Sequence, residues 1–325
     1  MGDAGRLLVR IPNWLGDAIM ARPMLSAIRR HFTGARVVAV GPAALLELLE
    51  GDGHWDESAP RDVDPRSTPA LGAPADLAIV CPPSFSSAWR AWRLGCRRRV
   101  GFRGEARDWL LTDPIARPSR GSLHLSEEYL LLSARVGASA FETPPLRAPA
   151  LETGSGAPPG SAENDHAPFA ILAPGATYGP AKRWPAERFV AVGRALTARG
   201  LAVRVCGVGA EREICESVAS AIAAARSLAG LTSLQQLARL CSGARLVVAN
   251  DSGLAHLAAA VGAPTVVVFG STSSAWTAPL GPKVRVVQRP PVCSPCFQRA
   301  CTIGYRCLEA VPVRDVLGAA EELAA

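Results

Sequence analysis

The sequence predicts an α/β protein built from two Rossmann-like, doubly wound domains, and three observations point there. Apolar runs of strand length alternate with longer stretches of helical spacing through the first half of the chain, the pattern of βαβ units feeding a parallel sheet. A stretch rich in Gly, Pro, Ser and Ala, ETGSGAPPGSAENDH from Glu152 to His166, then breaks the pattern with turn signals and no apolar period, as a linker does. Beyond it the alternation starts again. The 325 residues suit two domains at roughly 100 to 200 residues each, and 49% apolar against 19% charged residues excludes a disordered regulator.

Taken in order, LLVRI (Leu7 to Ile11) is the first strand, followed by one amphipathic helical stretch from about Asp17 to Phe32, strand VVAVG, helix ALLELLE and strand LAIVC. After the linker come strand FAILA, a helix ERFVAVGRALTARG closed by Gly200, strand AVRVC and helix EREICESVASAIAAA. SLQQLARLCSGA leads into strand RLVVAN, then helix LAHLAAAVG, strands PTVVVF and VRVVQ, a cysteine-rich loop and the helix VRDVLGAAEELAA. Sheets of this kind bind ligands beyond the carboxyl ends of their strands, so two of them facing an interdomain cleft suit a two-substrate enzyme or a small-molecule binding protein. No repeat with a period of 20 to 50 residues is present.

Lys+Arg exceed Asp+Glu by 35 to 28, a net charge of +7 that favours anionic partners. Nearly all of the excess is arginine; Lys182 and Lys283 are the only lysines. No run approaches about 18 uninterrupted apolar residues, and MGDAGRLLVRIPNWLGD carries no apolar core followed by a small-residue cleavage site. The expectation is a cytoplasmic protein with at most peripheral contact to a membrane surface.

Three stretches carry chemistry. In NWLGDAIMARPMLSAIRR, Asp17 follows the first strand at the start of a helix. It reads either as an ordinary N-cap or as a carboxylate kept ionised there to accept a hydroxyl proton. In APGATYGPAKRWPAERF, a strand end runs into a glycine-rich loop, Lys182, and a helix beginning near Pro185; backbone amides and Lys182 suit a diphosphate, while Trp184 also reads as a packed aromatic. The loop fits neither GxxxxGK[ST] nor GxGxxG, which disfavours a P-loop NTPase. In VVANDSGLAHLAAAVGAP, an apolar strand meets Asp251, Ser252 and Gly253 just before a helix. Amides around Ser252 to Leu254 suit an anion and Asp251 suits sugar hydroxyls, although Asp and Ser are also good caps and His256 also reads as a core histidine.

Together these stretches resemble the bacterial ADP-heptose:lipopolysaccharide heptosyltransferases of glycosyltransferase family 9. GDAIMARPML, PGATYGPAKRWP, CGVGAERE and NDSGLAHLAAAVGAPTVVVFGSTS occur in the family's order, from about Leu7 to the C-terminal helix. The run VGFRGEARDWLLTD (Val100 to Asp113) looks like the branch that adds the second heptose of the inner core. The resemblance implies a GT-B fold: an acceptor domain at 1–151, a linker at 152–167, a nucleotide-sugar domain at 168–310, and a helix at 311–325 packing back toward the N-terminal domain. It implies Asp17 as general base, Lys182 on the diphosphate, Glu211 on the adenosine ribose, and Asp251 on heptose hydroxyls. Ser252, Gly253 and Leu254 would offer amides to phosphate, with His256 in support. Arg97, Arg98, Arg99, Arg103 and Arg107 would meet a phosphate-rich acceptor, since guanidinium forks match phosphate oxygens.

The reaction so implied is inverting transfer of L-glycero-D-manno-heptose from ADP-heptose to a heptose of the lipopolysaccharide inner core, with no cofactor for catalysis and no nucleic-acid partner. Transfer of the first heptose to Kdo, protein glycosylation, and a non-catalytic nucleotide-sugar binding protein are the alternatives. Of nine cysteines, Cys81, Cys206, Cys215 and Cys241 read as core residues. Cys293, Cys296, Cys301 and Cys307, spaced C-x2-C-x4-C-x5-C, read as free thiols or as ligands of a structural zinc or iron.

Overall fold

Two six-stranded sheets, parallel throughout, organise the chain. The computed structural model describes residues 5–62, 69–139, 145–147 and 167–324. The chain divides into the units Met1–Pro144 and Pro145–Ala325, so the boundary falls before the expected 151. Leu146 shows why: it is buried, and its amide donates to the carbonyl of Ala260 at 2.7 Å, which commits this segment to the second unit. The linker expected at 152–167 lies, apart from Ala167, outside the described residues.

The first sheet contains β1 (Arg6–Arg10), β2 (Arg36–Gly41), β3 (Glu57–Pro60), β4 (Leu77–Val80), β5 (Arg98–Phe102) and β6 (Asp113–Ile115), in the order β3-β2-β1-β4-β5-β6. Its central strands are apolar on both faces because helices cover both; Leu7, Val9, Ile79 and Val80 are all buried. The helices are α1 (Leu15–Met20), α2 (Arg22–His31), α3 (Ala43–Leu49), α4 (Phe85–Arg93) and α5 (Leu125–Ala134). The single helix expected from Asp17 to Phe32 is two. Pro23, which has no amide to donate, occupies the first turn of α2, and the chain bends at Ala21.

The second sheet repeats the plan with β7 (Phe169–Ala173), β8 (Ala202–Val205), β9 (Arg226–Ser227), β10 (Leu246–Asn250), β11 (Thr265–Val268) and β12 (Val284–Val287), in the order β12-β11-β10-β7-β8-β9. Each sheet thus has its first and fourth strands side by side at the centre, where the strand order reverses and ligands bind. Around the second sheet lie α6 (Ala186–Ala198), α7 (Arg212–Ser220), α8 (Leu234–Gly243), α9 (Gly253–Ala260), α10 (Ser274–Thr277), α11 (Arg306–Glu309) and α12 (Val313–Ala324). The apolar face of the final helix, with Val316, Ala319 and Ala320 buried, rests on β11, β12 and α6 of its own unit.

Candidate functional site

The switch point of the second sheet lies where β7 ends at Ala173 and β10 at Asn250. Asn250 is completely buried, so its amide must be satisfied by protein. Its Nδ2 donates to the carbonyl of Pro174 at 2.8 Å, and its Oδ1 accepts from the backbone amide of Trp184 at 3.0 Å. One side chain therefore ties the β7 exit and the loop carrying Lys182 to the end of β10. Sequence reasoning passed over Asn250, although a polar residue closing a five-residue apolar strand is the signal that marks it. Trp184 is a core residue: it is fully buried, its indole donates to the carbonyl of Val311 at 3.0 Å, and it packs edge-on against Phe189.

Lys182 ends a single 3-10 turn, Pro180–Lys182, which aims its side chain back across the sheet. Its Nζ lies 2.6 Å from Asp251 Oδ2 and 4.8 Å from the centre of the Tyr178 ring. Thr272 Oγ1 donates to the same Asp251 oxygen at 2.6 Å. The two residues expected to act separately, Lys182 on phosphate and Asp251 on sugar, form one buried ion pair. With one ammonium proton used by Asp251, the remaining ones are available to an anion.

The glycine-rich loop is held from its other side by residues 294–299. The Tyr178 hydroxyl donates to the carbonyl of Phe297 at 2.5 Å, and the Ala181 amide donates to the carbonyl of Arg299 at 3.0 Å. Gly179 takes φ +150°, and a Cβ there would lie 2.5 Å from the Arg299 carbonyl oxygen, so glycine is required. The amides of Cys296 and Phe297 both donate to the carbonyl of Ser271, next to Thr272.

Glu211 closes a short 3-10 turn beyond β8. Its Oε2 accepts from the Val208 amide at 3.0 Å and its Oε1 from Thr177 Oγ1 at 3.4 Å. The carboxylate sits against Gly175, where any Cβ would collide with it. Gly207 faces the same carboxylate and Cys215 Sγ. Ser252 is the N-cap of α9 but makes no side-chain capping bond, and its buried hydroxyl has no hydrogen-bond partner. The first amides of the helix, at Gly253 and Leu254, are thus not capped by it, as an anion site at a helix N-terminus requires. His256 is buried in the next turn. The structure therefore brings Lys182, Glu211, Asp251, Ser252, Gly253, Leu254 and His256 to the carboxyl ends of β7, β8 and β10.

In the first unit, Asp17 lies inside the first turn of α1, and Trp14 is the N-cap residue. This replaces the cap reading with a half-buried carboxylate favoured by the helix dipole. Burial, followed by the charge of Asp17, pushes the phenol of Tyr129 on α5 well above its ordinary value. Nearby, Asn13 Oδ1 accepts from both Arg10 and Arg61, and burial lowers Arg10 to about 10.

The five arginines expected to form one acceptor surface do not. Arg97, Arg98 and Arg99 stand at the amino end of β5, whereas Arg103 and Arg107 follow its carboxyl end, about 15 Å away at the rise of a strand. Arg98 is engaged bidentately by Asp113 at 3.0 Å, and Arg99 Nε donates to the carbonyl of Leu110. Arg107 has no exposed surface: it donates to the carbonyls of Phe102, Pro82 and Ser84 and to Ser87 Oγ. Burial lowers it to about 10. Arg107 braces the loop between β4 and α4, leaving Arg97 and Arg103 as the exposed members that no carboxylate grips closely.

Of the two readings open for the cysteine cluster, the structure shows the free thiols. Among the described residues no three His, Cys, Asp or Glu side chains converge as a metal site, so Cys293, Cys296, Cys301 and Cys307 do not close as a ligand set. Cys293 and Cys296 are exposed and Cys307 is buried. Cys301 Sγ accepts from the amides of Ile303 and Tyr305 at 3.4 and 3.3 Å, which lowers its thiol from the usual value.

The description "Glycosyltransferase family 9 (heptosyltransferase)" matches residues 68–305. Lipopolysaccharide heptosyltransferase 2 of Escherichia coli K12 is 30% identical over 305 residues, covering 87% of this chain and 88% of that protein. The solved structure of E. coli ADP-heptose lps heptosyltransferase II aligns with a TM-score of 0.78 at 26% identity, covering 98% of each chain. A family 9 glycosyl transferase from Veillonella parvula DSM 2008 shares the fold with a TM-score of 0.84 at 20% identity, covering 100% of this chain and 98% of its own. With matches that run the length of both units, the chain belongs to glycosyltransferase family 9, the heptosyltransferases, and is an enzyme of that class.

Proposed function

We propose that the chain is an inverting glycosyltransferase that moves L-glycero-D-manno-heptose from ADP-heptose to a heptose of the lipopolysaccharide inner core, at the cytoplasmic face of the inner membrane. The observation that carries this reading is the Lys182–Asp251 pair at the switch point beside the N-terminus of α9. In this reading the diphosphate lies on Lys182 and the amides of Gly253 and Leu254, and the adenosine ribose lies on the free accepting capacity of Glu211. The acceptor oxygen attacks the anomeric carbon as the bond to the β-phosphate breaks, and the hydroxyl proton passes to Asp17. Positive charge on Lys182 and the α9 amides offsets the charge developing on ADP, so the reaction needs no resident cofactor. Asp251 holds the Lys182 ammonium in place, and Arg103, exposed beyond the carboxyl end of β5, would meet acceptor phosphate.

The test is ADP release from ADP-heptose with a lipopolysaccharide acceptor truncated after one heptose, beside an acceptor ending in Kdo. Turnover on the one-heptose acceptor alone is the expected result. Turnover only on the Kdo acceptor would reassign the step, and ADP-heptose binding without turnover on either would point to a different acceptor.

A further inference from the structure

Helix α4 carries an aromatic stripe that neither the core nor the proposed reaction uses. Phe85, Trp89 and Trp92 recur at spacings of four and three, which places them on one face over about 10 Å of helix. The opposite face, with Ser87, Ala88 and Ala91, is buried. Ring centres are 6.1 Å apart for Phe85 and Trp89 and 4.9 Å for Trp89 and Trp92, and Trp109 joins from the loop after β5 at 6.2 Å from Phe85. All four are exposed, from 37% at Trp89 to 65% at Trp109. Three of the seven tryptophans of the chain thus stand in one continuous solvent-facing patch, which in a globular protein marks a contact surface.

We infer that this ladder docks the protein on an anionic lipid bilayer. Charge selects the occupant. Arg93 lies one turn beyond Trp89 on the same exposed face, with Arg97 beyond it. Arg97 and Arg103 are held only loosely, 3.8 Å from Asp76 and 3.9 Å from Asp108. The two carboxylates near the rings are turned to backbone: Glu105 accepts from the Phe85 amide at 3.3 Å and Asp108 from the Gly104 amide at 3.1 Å. Tryptophan favours the headgroup level because the ring is apolar and its N–H is polar. Trp109 Nε1 already donates to the carbonyl of Ala106 at 3.0 Å, so that ring enters an apolar layer without stranding a donor. A sugar stacks on one or two rings, whereas four rings in a row with a cationic edge match the plane of a membrane interface. Among the described residues no helix is long and apolar enough to cross a membrane, so the contact is a shallow one.

The test uses the full chain and sedimentation with vesicles of phosphatidylethanolamine and phosphatidylglycerol, beside vesicles of phosphatidylcholine alone. No acceptor is present, so the outcome is separate from that of the transfer assay. Wild type should partition onto the anionic vesicles, with tryptophan emission shifted to the blue and quenched by brominated lipid. Trp89→Ser/Trp92→Ser/Trp109→Ser should lower the partition coefficient at least tenfold while keeping ADP release on a deacylated, water-soluble acceptor within twofold. Arg93→Gln should weaken binding to anionic vesicles and leave phosphatidylcholine unaffected. Wild type that stays in the supernatant, or emission untouched by brominated lipid, overturns the proposal whether or not the triple variant folds. So does a triple variant that binds vesicles normally but loses turnover on the soluble acceptor, which would make the ladder a sugar platform. Self-association of wild type that disappears in the variant, without vesicle binding, would assign the face to a second copy.

Discussion

Asp251 and Lys182 meet at 2.6 Å with side chains 3% and 13% exposed, a cation and an anion that have both left water. Removing one member strands the other, at a cost of about 3–5 kcal/mol for a buried pair. Lys182→Ala should therefore lower the melting temperature as well as activity, and its effect on kcat should reach about 10²–10³-fold if it offsets the charge on the leaving diphosphate. Lys182→Ala/Asp251→Ala should recover part of the stability and none of the turnover. Thermal melts beside steady-state ADP release check both; additive stability losses would show that the pair is not coupled.

Asp17→Asn keeps the shape of the α1 turn and removes the proton acceptor. The expected outcome is a fall in kcat of about 10²–10⁴-fold, the range for a general base, with ADP binding unchanged by calorimetry. Near-normal turnover would remove Asp17 from the mechanism.

Gly175 and Glu211 share one space, so Gly175→Ala pushes the carboxylate out of position. ADP affinity should drop by about tenfold, the size of one lost hydrogen bond to a charged group. Adding Gly175→Ala to Glu211→Ala should then cost little more. Calorimetric titration of the three variants with ADP provides the comparison.

Arg107, buried behind β5 with donors on four residues, should behave as part of the fold. Arg107→Met is expected to cost several kcal/mol, because the carbonyls of Phe102 and Pro82 lose buried donors. Urea denaturation measures this. A variant of normal stability with a raised KM for the acceptor would return Arg107 to the acceptor-binding role expected from sequence.

Acid should act through Asp52. Burial alone would raise its pKa, but the His54 ring nitrogen 3.3 Å away and the hydrogen bonds from Arg22 outweigh this and hold it below the ordinary value. Since the folded-state value is the lower one, its contribution is complete above the unfolded pKa of about 3.9 and fades as pH falls through the folded value. Urea midpoints should thus be insensitive to this group from pH 7 to 5 and decline below about 4, with a shallower decline in Asp52→Asn.

The central strands and most of the helices of both units were legible in the sequence, because strands buried on both faces are written as unbroken apolar runs. Strands β3, β5, β6 and β9 were not. ESAP, RRVGF, DPI and RS are short, polar or at sheet edges, and the arginines of RRVGF disguised β5 as a charged surface segment. Motif order marked Lys182, Glu211, Asp251 and Ser252 as residues of one site. That Asp251 takes Lys182 and Thr272, or that Arg107 turns inward, depends on which loops the sheet brings together, and no local pattern encodes that. The four cysteines show where local spacing leaves two readings open: C-x2-C-x4-C-x5-C allowed free thiols or metal ligands, and the path of the backbone decides for free thiols.

The contact of residues 294–299 with Tyr178, Gly179 and Ala181 bears on how this chain can be cut and recombined. The loop that carries Lys182 takes its shape from a segment more than a hundred residues downstream, outside the strands of the sheet. A chimaera between two family members joined just after β12 would leave every strand and the anion-facing N-terminus of α9 intact. It would still pair one parent's glycine loop with the other parent's buttress. Inheritance of this site is set by a junction that falls after Arg299, not by one at the end of the sheet.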